Sequence, residues 1–127
     1  MKHLAIFDKK TIQKIFSGKK TMDIRLSRRK VLPFGHISSG DKILIKETGG
    51  KVLGEFNAAR VISYDNLDSI QLEKVKRDYN RFIKMDSLFW HEREDSKYGT
   101  IIFIDKVQPV LIPMFFKKRD RRPWMVL

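Results

Sequence analysis

Residues 18–25, with the sequence GKKTMDIR, constrain the fold more than any other stretch, because the hydrophobic period changes there from that of a helix to that of a strand. Before this segment, apolar side chains recur at intervals of three and four residues, which predicts a helix from Lys9 to about Ser17 with Asp8 as its cap. Gly18 follows where helices commonly end, since glycine adopts the left-handed backbone conformation without a Cβ penalty. The segment therefore predicts a helix followed at once by a strand.

Apolar and polar residues alternate from Met22 to about Ser27, the period of a strand with one buried face. The same period places Asp23 and Arg25 together on the opposite face, which we expect to lie away from the core. Lys20 stands at the turn just before them. An acid between two cations at a helix end is an arrangement suited to an anion or to the polar edge of a base. The competing interpretation is an ordinary surface ion pair worth at most about 1 kcal/mol.

This segment resembles the GxKxxExR signature of the ASCH family, whose domains are similar to the PUA RNA-binding fold. Gly18, Lys20 and Arg25 match the signature, and Asp23 stands where the family usually has Glu. The resemblance implies one domain over residues 1–127, built as a small β-barrel with a basic cleft.

Three features further along the chain agree with that resemblance, and all three are turns that lead into strands. They are Gly40-Asp41, the pair Gly49-Gly50 before a long strand, and Tyr98-Gly99. Taken with the resemblance, they predict a mostly β (α+β) fold, a PUA-like β-barrel of about five to six strands with two or three helices.

The other elements are predicted from the same periodicities. The predicted strands are Leu4–Phe7, Lys42–Glu47, Lys51 to about Tyr64, Thr100–Val107 and a last strand within 123–127. A helix is expected to end near Ile83, and a short one to begin at a cap formed by Asp86-Ser87. Gly54 indicates a bulge or a barrel bend, with close approach of a ligand as the alternative. Pro109 and Pro113 are expected to prevent regular structure after the strand that ends at Val107.

Charge is the most informative bulk property of this chain. Twenty-seven Lys and Arg against fifteen Asp and Glu give a net charge of +12 in 127 residues. That balance favours polyanionic partners, with nucleic acid first and an anionic membrane second. The cations concentrate in two stretches. These are Lys19, Lys20, Arg25, Arg28, Arg29 and Lys30, and then Lys117, Lys118, Arg119, Arg121 and Arg122.

Several classes of protein are disfavoured by the sequence. No apolar run approaches the ~18 residues of a membrane helix, and the first residues are too short for a signal-peptide core, so we expect a cytoplasmic protein without membrane contact. The three histidines lack metal-ligand spacing and there is no cysteine, so we expect neither metal nor cofactor. The phosphate-cradling and nucleophile-elbow motifs are absent from the sequence.

RNA binding is the predicted function, and RNA or a free nucleotide is the predicted partner. Nothing in the pattern indicates an oligomeric state. Aromatic side chains accompany the cations, as in surfaces where rings stack on bases and cations hold phosphates. Phe34, Tyr98, Trp90 and Trp124 are the possible stacking residues, each with a place in the core as the alternative. The predicted nucleic-acid contacts are Lys19, Lys20, Asp23, Arg25, Arg28, Arg29, Lys30 and Trp90.

The resemblance also implies an enzymatic alternative, with Lys20 and Asp23 as the catalytic candidates. Some bacterial ASCH-like proteins are amidohydrolases that release the acetyl group of N4-acetylcytidine, and others have been proposed to be ribonucleases. In the amidohydrolase pattern a Thr nucleophile occupies the position of Asp23, beside a Lys that matches Lys20. Here the Thr is missing, Thr21 lies two residues earlier, and Glu73 or Asp78 matches the pattern's downstream Glu only loosely. A water activated by Asp23 remains the catalytic hypothesis.

Overall fold

One six-stranded sheet and three helices form the part of the chain that the computed structural model describes, residues 1–116 and 121–127. The strands are β1 (Lys2–Phe7), β2 (Met22–Ser27), β3 (Lys42–Glu47), β4 (Val52–Tyr64), β5 (Tyr98–Met114) and β6 (Trp124–Val126). The helices are α1 (Lys9–Phe16), α2 (Ser69–Ile83) and α3 (Ser87–Glu92). The mostly β, PUA-like fold predicted from the sequence is confirmed.

The sheet curls into a half-barrel whose two edge strands come from distant parts of the sequence. The strand order is β2-β5-β4-β3-β1-β6, with β1 parallel to β3 and the other neighbours antiparallel. Arg25 in β2 donates from Nη2 to the carbonyl oxygen of Ile6 in β1 over 3.1 Å. A side chain therefore bridges the seam that backbone pairing leaves open between β2 and the β1–β6 edge.

All three helices begin at an aspartate whose side chain accepts a backbone N–H, as the sequence predicts for α1 and α3. Asp8 accepts from Thr11 over 2.7 Å, Asp68 forms a capping box with Gln71, and Asp86 accepts from Phe89. At the other end of α1, Gly18 has φ +79°, the left-handed conformation expected there. The turn at Gly18 ends α1 and leads the chain into β2.

Two apolar cores lie on different parts of the sheet. The first packs α1 against β1, β3, β4, β5 and β6, and includes Ile15, Ile45, Phe56 and Trp124. The second packs α2 and α3 against β2 and β5, and includes Ile24, Leu72, Val75, Ile83, Trp90 and Ile101. Because β2 faces the second core on one side and the seam on the other, both of its faces are covered in its first half.

Strand β5 is longer than predicted. The expectation that Pro109 and Pro113 prevent regular structure after Val107 is wrong, since β5 continues to Met114. Within the described residues β2 pairs with β5 only as far as Phe103, so the rest of β5 has β4 as its sheet neighbour. Proline is tolerated on such an edge, where its missing N–H removes no ladder bond.

Gly54 lies at an irregularity in the pairing of β4 with β5, which confirms the predicted bulge. A Cβ at this position would lie 2.6 Å from the ring of Phe16 and 2.7 Å from the carbonyl oxygen of Gln108. The close approach that requires glycine is thus made by the protein's own aromatic ring and backbone.

Across the described ranges, no helix is long and apolar enough to cross a membrane. The second basic stretch falls mostly on residues 117–120, outside the described ranges.

Candidate nucleic-acid interface

A cavity of about 250 Å³ lies at the seam between β2 and the β1–β6 edge. Its polar lining includes Asp23 and Arg25 from β2, and its aromatic lining includes Phe7, Phe34 and Trp124. The curl of the sheet produces this juxtaposition, because β2 and β6 are the two ends of the strand order. The cavity therefore combines a charged pair with aromatic side chains, of which Phe34 is half-buried and Phe7 and Trp124 are buried.

Asp23 is held between two cations. Arg25 Nε donates to Asp23 Oδ2 over 2.9 Å, and Lys20 Nζ lies 3.6 Å from Oδ1. Lys20 is itself 1% exposed and donates from Nζ to the carbonyl oxygen of Ile83 over 2.6 Å. Lys20 does not line the cavity. It affects the cavity indirectly, because its ammonium group stabilises the carboxylate of Asp23, which does line it. The face of β2 that the sequence placed away from the core is in fact buried, with Asp23 only 5% exposed.

The pKa directions are set by burial opposed by neighbouring charge. Burial raises the pKa of Asp23, but the charges of Arg25 and Lys20 and the hydrogen bond from Arg25 outweigh it, so that the pKa lies below its ordinary value. Burial also lowers the pKa of Lys20, and Asp23 offsets part of that effect. Asp23 is thus a carboxylate at neutral pH, able to accept hydrogen bonds but a weak base.

Arg25 is the residue that joins the parts of the site. Its Cζ lies 4.7 Å from the ring centroid of Phe7 and 5.2 Å from that of Trp124, which are cation–π distances. Its Nε is used by Asp23 and its Nη2 by Ile6, leaving further N–H donors at the cavity. With 18% of its side chain exposed, Arg25 is the cation of the cluster that solvent and ligand can reach.

A second arginine lines the same cavity and was not singled out in the sequence. Arg93 places Cζ 3.9 Å from the ring centroid of Phe89 and donates from Nη1 to the Phe89 carbonyl oxygen. Burial lowers the pKa of Arg93, Glu92 raises it, and the charge of Arg25 lowers it again. Because the charge of Arg25 affects the pKa of Arg93, the two guanidinium groups lie close enough to repel each other. In the sequence, Arg93 belongs to a charged loop with no pattern to distinguish it.

Trp124 is fixed by a buried chain of hydrogen bonds. Its Nε1 donates to His3 Nδ1 over 3.0 Å, and His3 Nε2 lies 2.8 Å from Asp41 Oδ2. The pairing assigns the His3 proton to Nε2, because Nδ1 must accept. His3 thus orients an aromatic side chain that lines the cavity. In the sequence, the spacing of the histidines only disfavours a metal site.

The exposed basic segment Arg28-Arg29-Lys30 borders the cavity. It lies between Ser27 and Val31, both of which line the cavity, and all three of its side chains are exposed. Arg28 pairs with Asp95, and Lys30 Nζ lies 5.7 Å from the ring centroid of Tyr98. These cations are therefore placed at the edge of the cavity.

Comparison with solved structures gives a clear fold assignment. The crystal structure of ASCH from Zymomonas mobilis matches with a TM-score of 0.73 and 19% identity, covering 99% of this chain and 87% of that chain. Two mutants of the same protein match with TM-scores of 0.76 and 0.75 at 18% identity, covering 99% of this chain and 87% and 89% of theirs. The chain has the ASCH domain fold. No protein-family model and no curated protein matches the sequence.

On this ASCH fold, several residues singled out in the sequence lie outside the cavity. Trp90 is 4% exposed, packs in the second core and donates from Nε1 to Asn80 Oδ1. Thr21 is exposed, and neither Glu73 nor Asp78 of α2 lines the cavity. Lys19 is also exposed and lines a different, open groove. Within residues 1–116 and 121–127, no group of three or more His, Cys, Asp or Glu could hold a metal ion.

Proposed function

We propose that this protein binds RNA and that one base, carrying an exocyclic amino group, enters the cavity at the seam. The observation that carries the proposal is the cavity itself, in which a carboxylate and an arginine meet aromatic walls beside an exposed basic segment. Aromatic faces and a positively charged track are the combination by which proteins hold single-stranded nucleic acid.

The size of the cavity supports one nucleoside as the bound unit. At about 250 Å³ it is slightly smaller than the roughly 300–1,000 Å³ of pockets for drug-sized ligands. A duplex cannot enter such a space, whereas a single unstacked base can. The cavity therefore favours an unpaired nucleotide, either free or within single-stranded RNA.

The charged pair supplies a reason for selectivity. Asp23 Oδ2 is occupied by Arg25, but Oδ1 lies 3.6 Å from Lys20 Nζ, longer than a direct hydrogen bond. A carboxylate has about four lone-pair sites, so Asp23 keeps the capacity to accept from a base amino group, as carboxylates accept from N4 of cytosine. Arg25 and Arg93 offer donors to a base oxygen or to phosphate. We expect cytidine nucleotides to bind better than uridine nucleotides.

The test measures binding of CMP, UMP and the matching single-stranded oligonucleotides by calorimetry and fluorescence anisotropy. Arg25→Gln should weaken CMP binding by about tenfold or more, because a charge-assisted hydrogen bond is worth about 1.5–3 kcal/mol. Arg60→Gln is the matched control, since Arg60 lies over the ring of Phe103 but does not line the cavity. Equal loss in both variants would contradict the proposed site.

Arg25 also holds the seam together, so a second variant separates binding from folding. Phe34 is half-buried, lines the cavity and packs against Tyr98 with ring centroids 5.1 Å apart. Phe34→Leu keeps an apolar side chain but removes the ring, and should reduce base binding by an amount within the roughly 1–3 kcal/mol of one stacking contact. Binding of CMP unchanged in both Arg25→Gln and Phe34→Leu would refute the proposed site.

Hydrolysis of an N4-acylated cytidine is the second candidate, favoured by the contact between Lys20 and Asp23 beside the cavity. In that reaction water adds to the acetyl carbonyl carbon, and the bond between that carbon and N4 breaks. N4 takes up a proton, and cytidine and acetate are released. Asp23 would act as the general base, although its lowered pKa makes it a weak one. The exposed position of Thr21 disfavours a covalent route.

The two candidates are separated by incubating wild type and Asp23→Asn with N4-acetylcytidine and following acetate release. Turnover by the wild type that falls by about two to four orders of magnitude in the folded variant would establish catalysis. Absence of turnover together with RNA binding that depends on Arg25 would refute the hydrolase. Circular dichroism of each sample gives the folded fraction to which rates and affinities are normalised.

A further inference from the structure

A second basic surface lies beside the seam cavity, where α1 and α2 end. It is an open groove of about 730 Å³ whose cationic lining is Lys14, Lys19, Arg81 and Lys84. Lys14 stands in the last turn of α1 and Arg81 in the last turn of α2, and Lys84 is the residue that ends α2. We call this surface the helix-end groove. Four cations from separate parts of the sequence converge there.

The charge of the helix-end groove is not neutralised within the described part of the chain. None of its four cations has a carboxylate oxygen within 4.0 Å there. Lys14 Nζ donates to the carbonyl oxygen of Lys84, which leaves its charge in place. The acid that borders the groove is Asp86, the N-cap of α3, which contributes one negative charge against the four positive ones. The groove is therefore strongly positive.

Helix-dipole stabilisation accounts for only part of this cluster. A cation in the last turn of a helix gains typically 0.3–1 kcal/mol, and this applies to Lys14 and Arg81. It does not account for Lys19, which comes after the glycine at the end of α1 and has an exposed side chain. Like charges gathered around one concavity repel each other, and an anionic ligand relieves that repulsion.

The helix-end groove adjoins the seam cavity. Met85 lines both the helix-end groove and the seam cavity, so the two surfaces share a wall. An RNA chain that leaves the cavity past Met85 therefore enters the groove. We propose that the helix-end groove holds the sugar–phosphate backbone of single-stranded RNA adjacent to the nucleotide in the cavity. The inference rests on the proposed function and adds a route for the chain.

RNA fits this groove better than a membrane surface does. Among the groove's described lining residues Met85 is the apolar one, and the others are charged or amide side chains. Membrane-surface helices combine cations with a broad apolar face that enters the headgroup region. A polar, concave, positively charged surface instead suits a flexible chain of phosphates.

The test removes three groove charges and compares a short oligonucleotide with a mononucleotide. The groove variant is Lys19→Gln, Arg81→Gln and Lys84→Asn. Asn is chosen at position 84 because Lys84 has φ +61°, which Asn tolerates. Lys14 is retained because its ammonium bonds a backbone carbonyl. The matched control, Lys2→Gln, Lys74→Gln and Arg77→Gln, removes three exposed cations that line neither surface.

Binding of a fluorescein-labelled oligocytidine of roughly 12 nucleotides is measured as a function of salt, and CMP binding by calorimetry. The groove variant should lower the log–log salt slope by about 2, since each lost phosphate contact on a single strand removes about 0.7. Its affinity for CMP should be unchanged. The control should keep the wild-type slope.

Each outcome separates the inference from the proposed function. If the groove variant and the control have the same slope, the inference is wrong while RNA binding stands. If the wild type binds CMP but not the oligonucleotide, the groove inference again fails and the cavity stands. If it binds neither, both fail. Loss of binding to phosphatidylglycerol vesicles, with the oligonucleotide slope unchanged, would assign the groove to a membrane and overturn the inference.

Discussion

Two sets of charged residues stand close together in the sequence, yet the fold gives them opposite environments. In the cluster Lys20-Asp23-Arg25, the exposed fractions of the side chains are 0%, 7% and 18%. In the segment Arg28-Arg29-Lys30, every side chain is exposed, and that of Arg28 is 74% exposed. We call the first the buried cluster and the second the exposed segment.

The difference teaches that the fold divides its positive charge between two environments. In the buried cluster each group has fixed partners within the fold, and the result is a preorganised wall for the cavity. In the exposed segment the side chains are open to solvent, where their contacts with Asp95 and Tyr98 are exposed and salt screens their charge. Changes in the buried cluster should therefore alter folding stability and ligand selectivity. Changes in the exposed segment should alter the salt dependence of the proposed RNA binding.

The largest effect is expected for Asp23→Asn, which leaves Lys20 and Arg25 without their shared counter-charge. Removing one partner of a buried ion pair costs about 3–5 kcal/mol, because the remaining charge stays out of water. We expect a loss of that size in the free energy of unfolding, measured by urea denaturation at neutral pH. A loss below about 1 kcal/mol would mean that the cluster is solvated as the exposed segment is.

The same variant should show a distinct pH dependence. The folded-state pKa of Asp23 is lowered, so the unfolded chain binds a proton at pH values where the folded chain does not. The contribution of the Asp23 carboxylate to the free energy of unfolding is complete above the ordinary pKa of about 3.9 and is lost as the pH falls. The loss is at most about 1.4 kcal/mol per pH unit. The difference between wild type and Asp23→Asn should therefore shrink as the solution is acidified. A difference in the free energy of unfolding that stays constant with pH would contradict the lowered pKa of Asp23.

A smaller loss is expected for Lys20→Met, which keeps the volume of the side chain and removes its charge. Asp23 retains Arg25 as a partner, so the main cost is the Ile83 carbonyl oxygen left without its donor. An unsatisfied buried acceptor costs about 1–3 kcal/mol, which urea denaturation would measure.

Lys19→Met is the matched control, because Lys19 is adjacent in the sequence and exposed. A change within about 0.5 kcal/mol is expected there. Equal losses at positions 19 and 20 would remove the distinction between the buried cluster and the exposed cations.

Local patterns predicted most of the elements of this fold. The change of period at residues 18–25, the aspartate caps and the glycine turns gave the helices and strands close to their observed bounds. Such signals work because they depend on neighbours a few residues apart. The interruption expected at Pro109 and Pro113 failed because the tolerance for proline depends on which strand lies alongside, and that is a long-range property.

The candidate site was predictable only in part, for a similar reason. Asp23 and Arg25 were found because they share a strand face. The burial of Lys20 depends on the carbonyl oxygen of Ile83, sixty-three positions away, and no local pattern reports it. Arg93 was missed because its place in the cavity lining beside Arg25 depends on long-range packing. His3 was missed because its partners Asp41 and Trp124 are distant in the sequence.

The smallest effect on stability and a distinct effect on binding are expected for the joint replacement of Arg28, Arg29 and Lys30 by Gln. The contact that Arg28 makes with Asp95 is an exposed ion pair, worth about 0–1 kcal/mol, so urea denaturation should change little. The salt slope for oligocytidine should fall by about 2 if all three cations neutralise phosphates. An unchanged slope would leave the phosphate contacts to the helix-end groove or to the second basic stretch, Lys117 to Arg122.

Combining this replacement with the groove variant tests whether both surfaces contact the same RNA chain. The two sets of cations lie beside the cavity in different elements, one in the segment after β2 and the other where α1 and α2 end. If one strand passes over both, the losses should add to about 4 in the slope, because each neutralised phosphate contributes separately. If the two surfaces instead hold alternative positions of the chain, the combined variant should lose less than the sum. Affinity for CMP unchanged throughout would show that the cavity, held by the buried cluster, acts independently of both.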